Sequence, residues 1–527
     1  MNRGACAGTY FITVFTLESA RQHDWMTAQD LADMAAACDR LLCAADTSLA
    51  RIAIPLLHVI NEHPANLAQY GPLPVPGERA RRRLPLASVV NAASRVSRAL
   101  IRSTRRSLGK STLRGAEKVD VLIVSRLLRH SQLASEHDLF FGDLQRSLRE
   151  RGLHVLRVFV NHVPGQQVPR ELAPVAGSDV LQSAVGIQRE LSIWRQCAVA
   201  GIRLRRHARQ ALNPLDRRVA LLASRHAALG GTVSNLRLHV ELSDICRRLN
   251  PRIVITTCEG AASERMIWHA ARASGGRPLC VGYQHTRILA HAHALRRSLP
   301  VAGMDCDPDV ILTSGEIPHD QLAESPGLRS VRLIRYGSHR RSLIGELPPL
   351  QDRARVCLVL PDAEAQEIML LLTFTLACAS QVPETMFLFR PHPAVATDAL
   401  LARVALPRNV ALSAGTTLTE DCLKARYCLY RGSSAAMHAV LAGVRPFYVA
   451  QAGEMSFDPL FALESWREII ASPAEFISRA RWADEAPDAD AARRARNFCD
   501  RYVSLLRPRA IDELLALREA ACAGFTP

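Results

Sequence analysis

Short, continuously apolar segments recur along this chain and alternate with stretches of helical pattern. Segments such as VDVLIV (119–124) and RIVITT (252–257) show no alternation of apolar and polar residues. Strands of this kind are buried on both faces, which is typical of parallel sheets covered by helices. Amphipathic segments lie between them at the spacing of βαβ units. The sequence therefore predicts an α/β protein with two Rossmann-like, doubly wound domains facing a cleft, preceded by a helical N-terminal extension.

The chain of 527 residues is long enough for several such units. Changes in composition and pattern divide it into five predicted regions. These are a helical N-terminal region (1–77), a basic linker or amphipathic segment (78–117), a first Rossmann-like domain (118–335), a second one (350–475) and C-terminal helices (476–527).

The net charge of +16 is concentrated in one segment. Between residues 78 and 118, twelve Lys or Arg residues stand against two Glu. Arginines alternate there with apolar residues at near-helical spacing, so the segment fits either a basic helix on an anionic membrane surface or a solvated linker. No aromatic residues interleave these arginines, and we therefore predict no nucleic-acid partner.

Other patterns in the sequence bear on location and on metal binding. No apolar run reaches the roughly 18–20 residues of a membrane-spanning helix, and the first residues lack the pattern of a signal peptide. We therefore expect a cytoplasmic protein, with a peripheral position on the inner membrane left open by the basic segment. The fourteen cysteines form no CxxC pair, which favours reduced, buried thiols and no zinc site.

Two strand ends in the second predicted domain carry residues suited to a phosphate. Ligands of doubly wound sheets bind outside the carboxyl ends of the strands. A glycine turn followed by hydroxyls and a helix N-terminus favours an anion, although helix capping and strand termination by proline would explain each motif separately. The candidates are Arg390, His392 and Pro393 in LFRPHP, and Arg431, Gly432, Ser433 and Ser434 in YRGSS.

Strand ends in the first predicted domain offer groups for acid–base chemistry. The candidates are Glu259 and Gly260 in TTCEG, His285 in GYQHT, and Ser314 with Glu316 in TSGE. We expect Glu259 to project into the cleft as a general base, with a pKa raised by partial burial. His285 is a candidate for contacting phosphate or acceptor, or for orienting Glu259. His285 could equally be a buried histidine under a loop with no role in the chemistry. Glu316 could equally begin the linker between the domains with no chemical role.

Several well-known motifs are absent from the sequence. It contains no GxxxxGK[ST] loop, no GxGxxG after a strand, no GxSxG elbow and no HExxH. These absences disfavour nucleoside-triphosphate hydrolysis, NAD chemistry, hydrolysis by a serine nucleophile and zinc proteolysis. No DxD pair stands at a strand end, so we predict no metal.

The acidic-Gly strand end, the HP pair and the later SS pair together resemble the GT-B-fold bacterial transferases that use CMP-activated sugars, such as sialyltransferases and capsule Kdo transferases. The order of CEGAASERMIWHAAR, VGYQHT, PDVILTSGE, RPHP and YRGSSAAMHAVLAGVRPFYV is also similar to that of bacterial O-antigen-type surface-carbohydrate biosynthesis proteins, over roughly 118–470. The resemblance implies that Glu259 is the general base. It also implies that His392 with Pro393, and Ser433 with Ser434, bind the nucleotide phosphate. Cys258 departs from the pattern, since many sialyltransferases have a second acidic residue there.

The resemblance implies a glycosyltransferase of bacterial surface polysaccharide biosynthesis. It would use a nucleotide-sugar donor, CMP-linked in these families, and a glycan or lipid-linked glycan acceptor, by metal-independent inverting displacement and without a further cofactor. A polyol-phosphate transferase using CDP-glycerol, a sugar-nucleotide epimerase and a non-catalytic partner in a carbohydrate assembly complex are the alternatives.

Overall fold

The computed structural model describes residues 26–58, 61–68, 70, 118–163, 174–181, 185–296, 305–341, 345, 347–392, 395, 404–485 and 488–523. The basic segment 78–117 and Pro393 lie outside these residues, so the predictions for them stay predictions. Within the described ranges, no helix is long and apolar enough to cross a membrane. Twelve cysteines have a described side chain; none of these twelve forms a disulfide, and all but Cys43 are buried.

The α-helices and β-strands follow one another in the alternation that the sequence predicts. The helices described are α1 (Ala28–Leu42), α2 (Leu49–Ile52), α3 (Pro64–Leu67), α4 (Leu144–Arg149), α5 (Ile187–Gln210), α6 (Pro214–His226), α7 (Gly230–Leu249), α8 (Ala262–Arg272), α9 (Glu316–Ala323), α10 (Ala365–Ala379), α11 (Leu418–Lys424), α12 (Ala435–Leu441), α13 (Pro473–Glu485), α14 (Ala489–Tyr502) and α15 (Arg509–Ala523). The strands are β1 (Val121–Leu127), β2 (Val155–Asn161), β3 (Ser178–Val180), β4 (Ile253–Thr257), β5 (Leu279–Gln284), β6 (Val310–Thr313), β7 (Arg332–Arg335), β8 (Val356–Leu360), β9 (Met386–Phe389), β10 (Val410–Leu412), β11 (Tyr427–Tyr430), β12 (Arg445–Val449) and β13 (Glu468–Ile470).

The first sheet is parallel throughout, in the order β3-β2-β1-β4-β5-β6-β7. Alternate residues of its strands point into two separate apolar cores: Leu122 and Val254 belong to one, and Val121 and Ile255 to the other. Because both faces are covered, the strands need apolar residues at successive positions. Strand order reverses between β1 and β4, which makes their carboxyl ends the expected ligand position.

The second sheet repeats this arrangement with six parallel strands, in the order β10-β9-β8-β11-β12-β13. It too lies between two apolar cores, one containing Leu358 and Cys428 and the other Val359 and Leu429. The order reverses between β8 and β11. The predicted fold class, two doubly wound α/β domains with a helical N-terminal extension, is confirmed by these two sheets.

Three edge strands were not predicted from the sequence. They are β3, β7 and β13, each three or four residues long and only partly buried. Short edge strands lack the apolar run that marks strands buried on both faces. Their sequences therefore gave no signal that distinguishes them from loops.

The C-terminal helices connect the two domains, whereas the N-terminal region belongs to a core of its own. α1 packs with α5 and α6 in a separate helical core. α14 supplies Ala495 and Cys499 to a core of the second sheet, whereas α15 supplies Ile511 and Leu514 to a core of the first. At the end of α14, the Tyr502 hydroxyl accepts from the Ile288 N–H at 2.7 Å and lies 3.2 Å from the Ile288 carbonyl oxygen. The C-terminal part of the chain thus holds the two sheets together.

Candidate functional site

The turn that follows β4 is built around the buried carboxylate of Glu264. Its oxygens accept hydrogen bonds from the backbone N–H groups of Glu259, Gly260 and Ala261 at 2.9–3.0 Å, and from the Thr257 hydroxyl at 2.8 Å. Glu264 lies in the first turn of α8, where a negative charge is favourable. The turn is therefore held in one conformation, while the Glu259 side chain remains 23% exposed.

The Glu259 carboxylate lies between an arginine and a histidine from neighbouring strands. Arg126, in β1, donates to Glu259 Oε2 at 2.9 Å, and Nε2 of His285, just beyond β5, lies 3.5 Å from Glu259 Oε1. The same guanidinium donates to Thr257 Oγ1 at 3.2 Å and to Glu264 Oε1 at 3.3 Å. The structure thus brings Glu259 and His285 together and adds Arg126, which the sequence analysis missed.

The pKa of Glu259 moves in the direction opposite to the one expected from the sequence. Burial raises it, but the positive charge of Arg126, with smaller contributions from His285 and Arg340, outweighs burial and lowers the pKa to about 2. Burial lowers the pKa of His285 to about 3. At neutral pH the site therefore pairs an ionised carboxylate with a neutral imidazole.

Gly260 allows the loop after β5 to approach this turn. Its φ is +86°, and a Cβ atom there would stand 2.6 Å from the Ala294 Cβ. A side chain at this position would be strained and would displace the loop. Gly260 therefore has a packing role, and it sets where the loop that carries His285 and Arg287 runs.

At the second sheet, the ends of β8 and β11 meet around Gly432. Its φ is +60°, and an added Cβ would stand 2.4 Å from Asp362 Oδ2 and 2.4 Å from the Phe457 ring. Ser433 is buried and Ser434 is partly exposed just before α12. Among the residues described, no hydrogen bond engages either serine hydroxyl.

Arg431 does not take part in this surface, which corrects its predicted role in phosphate binding. Its side chain is fully buried and donates to Glu367 Oε2 at 2.6 Å, to both Glu454 oxygens at 2.7 and 2.9 Å, and to the Val449 carbonyl at 2.6 Å. The guanidinium also lies 5.0 Å from the Phe457 ring centre. Every nitrogen of the guanidinium is engaged, so Arg431 supports the turn from beneath.

Arg390 is engaged within its own domain through one nitrogen of its guanidinium, and its side chain remains 26% exposed, so its predicted phosphate contact stays a prediction. It donates to Asp421 Oδ2 at 2.6 Å, to Ser413 Oγ at 2.9 Å and to the Thr416 carbonyl at 3.0 Å. These contacts fasten the end of β9 to the start of α11. His392, two residues on, is half-buried at the cleft.

Ser314 and Glu316 lie at the contact with α14. The buried Ser314 hydroxyl lies 3.2 Å from both Gln284 Oε1 and the Tyr502 carbonyl. Glu316 begins α9 and accepts from Arg501 at 3.0 Å on the surface. Both residues join the first domain to the C-terminal helices, so neither is assigned a place in the cleft.

In each sheet the strand order reverses at one place, between β1 and β4 and between β8 and β11, here called the switch points. Charged side chains cross the cleft between the two switch points. Arg287, three residues beyond β5, donates to Asp362 Oδ2 at 2.8 Å, and His63 from the N-terminal region lies 3.5 Å from the same oxygen. Burial lowers the pKa of His392, with a smaller opposing effect of Asp362 and smaller contributions in the same direction from Arg340, Arg287 and Arg129. These arginines, which follow strands β1, β5 and β7 of the first sheet, therefore act on the charge of the HP histidine of the second domain.

Four residues of this cleft were missed in the sequence analysis: Arg126, Arg287, Asp362 and His63. Arg126 interrupts an apolar strand, and Asp362 follows the end of β8, so both carried the signal that identified Glu259. His63 lies far away in sequence and gave no such signal. Within the described ranges, no group of three or more His, Cys, Asp or Glu side chains is arranged to hold a metal ion.

Comparisons with known proteins give structural likeness alone. No protein-family model and no curated protein matches the chain. The glycosyltransferase SnogD from Streptomyces nogalater aligns at 17% identity and TM-score 0.44, over 76% of this chain and 100% of its own. Spinosyn rhamnosyltransferase SpnG in complex with thymidine diphosphate aligns at 14% and 0.42, over 75% and 100%. UDP-GlcNAc 2-epimerase from Neisseria meningitidis, bound to UDP-GlcNAc, aligns at 11% and 0.42, over 75% and 99%.

Proposed function

We propose that the chain is a glycosyltransferase that binds a nucleotide-activated sugar in the cleft between its two sheets. The observation that carries this proposal is the pairing of two different strand ends. An ionised Glu259 with a neutral His285 stands on one side, and Gly432, Ser433 and His392 stand on the other. The ion pair between Arg287 and Asp362 brings these two ends within side-chain reach of each other.

The second switch point is the proposed position of the donor phosphate. Gly432 has no side chain, so Asp362 and Phe457 can pack closely against the turn, and the two serine hydroxyls that follow it supply donors. Arg129, Arg287 and Arg340 of the opposite side each lower the pKa of His392, although Asp362, which binds Arg287, opposes them. The phosphate therefore would not depend on Arg431, whose guanidinium is fully engaged elsewhere. The partly exposed Arg390 remains a candidate contact.

The proposed reaction is a single inverting displacement. An acceptor hydroxyl oxygen attacks the anomeric carbon of the donor, and its proton passes to the Glu259 carboxylate. The bond from the anomeric carbon to the phosphate oxygen breaks, and the nucleotide leaves with that electron pair. Its negative charge is stabilised by the serine hydroxyls, His392 and the arginines that face them.

Arg126 sets how strong a base Glu259 is. With the guanidinium at 2.9 Å the carboxylate is fully ionised but weakly basic. Arg126 already contacts Glu264, and a shift of the guanidinium toward that carboxylate on acceptor binding would raise the pKa of Glu259 toward the working range. The base would then gain strength only when an acceptor is present, which limits hydrolysis of the donor.

The nucleotide and the pathway are narrower parts of the proposal. The order of the acidic-Gly, HP and SS motifs supports a CMP-linked donor and an acceptor glycan of a bacterial surface polysaccharide. A peripheral membrane position through 78–117 belongs to the same proposal. Deleting 78–117 should then shift the protein from the membrane fraction to the soluble fraction.

Nucleotide release from a panel of CMP-, UDP-, TDP- and GDP-linked sugars, with and without acceptor glycans, tests the activity. We expect release that depends on acceptor, strongest with a CMP-linked donor. Glu259→Gln should lower the rate about 10²–10⁴-fold, the usual contribution of a general base. Glu316→Gln, at the other acidic candidate, should leave it unchanged. Equal loss in both variants, or no release from any donor, would contradict the proposal.

A further inference from the structure

The long helix α5 exposes apolar side chains on the face that points away from its core. Its inner face packs through Ile193, Cys197 and Leu204, as expected of an amphipathic helix. The outer face should then be polar. Instead, four large apolar residues are 40–59% exposed there, and Leu212, at the turn into α6, is 100% exposed. The four residues of the outer face are Ile187, Leu191, Val199 and Ile202.

This concentration sets the hairpin of α5 and α6 apart from the rest of the described surface. Of the twelve large apolar side chains that are exposed in the described residues, six lie between 187 and 221. At about 100° per residue, Ile187, Leu191 and Ile202 fall within a sector of roughly 60°. They therefore form one stripe along the helix, which single exposed apolar residues scattered over a surface would not do.

Arginine side chains with no partner among the described residues lie within this sector or directly beside it. Arg195, Arg205, Arg206 and Arg209 are exposed and make no hydrogen bond or ion pair in the part of the chain described. By the same helical spacing all four lie within roughly 100° of Ile187, so they overlap the apolar stripe and extend about 40° beyond it. Between 187 and 226 nine arginines stand against two acidic residues, a net charge of +7. The two acids, Glu190 and Asp216, are paired with Arg237 and Arg40 from outside the hairpin.

We propose that this hairpin face, formed by the exposed residues of α5 and the turn at Leu212, docks on an anionic phospholipid surface. Apolar side chains that can enter the boundary of the acyl chains, interleaved with unpaired arginines that meet lipid phosphates, are the chemistry such a surface recognises. A nucleic acid fits less well, because aromatic side chains for stacking are missing from the exposed residues of this face. The proposal is independent of the proposed catalytic activity and concerns a different segment from 78–117.

Sedimentation of the full chain with vesicles tests the docking. Vesicles of phosphatidylcholine alone are compared with vesicles that also contain phosphatidylglycerol. We expect the wild type to bind the anionic vesicles, and high salt to weaken binding. Arg205→Gln, Arg206→Gln and Arg209→Gln combined should weaken it about 100-fold, at about 1 kcal/mol per arginine. Leu191→Gln, Ile202→Gln and Leu212→Gln combined should weaken it at least about tenfold.

Matched control variants carry the same changes on the second domain and the C-terminal helices. Ile469→Gln, Leu505→Gln and Leu506→Gln replace apolar side chains of 41–48% exposure, and Arg481→Gln, Arg493→Gln and Arg494→Gln replace exposed arginines. Both control sets should bind as the wild type does. The proposal is overturned if the wild type does not bind anionic vesicles, or if the hairpin variants bind like the controls. It is also overturned if the hairpin variants lose affinity for duplex DNA while keeping affinity for vesicles.

Discussion

The switch points of the two sheets have the same topology but are stabilised in different ways. At the first, Arg126 in β1 and Glu259 in the turn after β4 neutralise each other within one domain, and Glu264 holds that turn by backbone hydrogen bonds. At the second, Asp362, just after β8, accepts a hydrogen bond from Arg287 of the other domain. The arginine that follows β11, Arg431, points inward instead.

This difference separates the two halves of the proposed chemistry. The base and its neighbours are held in place by one domain, so they are positioned before any ligand arrives. The proposed phosphate position is completed only where the first domain's arginines approach it. Changes at the first switch point should therefore act mainly on rate and pH dependence, and changes at the second on stability and nucleotide affinity.

Arg431→Met should produce the largest loss of stability. It would leave Glu367 and Glu454 buried without the guanidinium that neutralises both, and breaking a buried ion pair costs about 3–5 kcal/mol. Urea unfolding of the purified variant measures this. Arg501→Met, which removes an exposed pair with Glu316, serves as the control and should cost about 0–1 kcal/mol. A similar small cost for Arg431→Met would show that the second switch point does not rest on this network.

Gly432→Ala should have a smaller effect on stability and should also weaken nucleotide binding. The methyl group meets Asp362 and Phe457 in addition to a positive φ, so a cost of about 2–3 kcal/mol is expected. Gly152→Ala is the matched control, since Gly152 has φ +79° and no atom within 4 Å of the added Cβ. It should cost only the backbone part, about 1–2 kcal/mol. Equal unfolding free energies for the two variants would exclude close packing around Gly432.

His285 at the first switch point should make the free energy of unfolding depend on pH. His285 has a 1% exposed side chain and a pKa lowered by burial from 6.5 to about 3, so the unfolded chain binds a proton that the folded chain does not. Its contribution is present above pH 6.5 and is lost as pH falls toward 3. At pH 5.5 the loss is on the order of 1 kcal/mol.

Thermal unfolding of the wild type and His285→Gln between pH 7.5 and 5 measures this loss. Burial raises the pKa of Glu264 in the same site to about 7, which adds stability as pH falls in both proteins alike. Relative to the wild type, the variant should therefore gain stability as pH falls. Glu259 does not interfere in that window, because its pKa is lowered from 4.5 and its contribution is lost only below that value. The same pH dependence in the two proteins would mean that His285 is not buried in its neutral form.

The sheets were predictable because a strand buried on both faces requires apolar residues at successive positions. β1, β4 and β8 show that pattern in the sequence alone. The order of the strands was not predictable, since it depends on which faces the helices cover. The same rule that identified Glu259, an acidic residue at a strand end, also applied to Asp362 and was not used there.

The roles of the arginines could not be read from their neighbours in sequence. Arg431 stands beside a glycine and two serines, a local pattern that resembles an anion site. Its actual partners, Glu367 and Glu454, are 64 and 23 residues away. The predicted direction of the pKa shift of Glu259 was wrong for a similar reason. Its partner Arg126 lies 133 residues earlier, in strand β1, which the fold places beside β4.

The most direct test of the central claim is the nucleotide-dependent stability of three proteins. Thermal unfolding of the wild type, Ser433→Ala/Ser434→Ala and Glu259→Gln would be measured with CMP, UDP, TDP and GDP in turn. A ligand at 100 times its Kd adds about 2.7 kcal/mol. The account predicts that a nucleotide, CMP foremost, stabilises the wild type and Glu259→Gln alike and fails to stabilise the serine variant. No stabilisation of the wild type, or equal stabilisation of the serine variant, would contradict it.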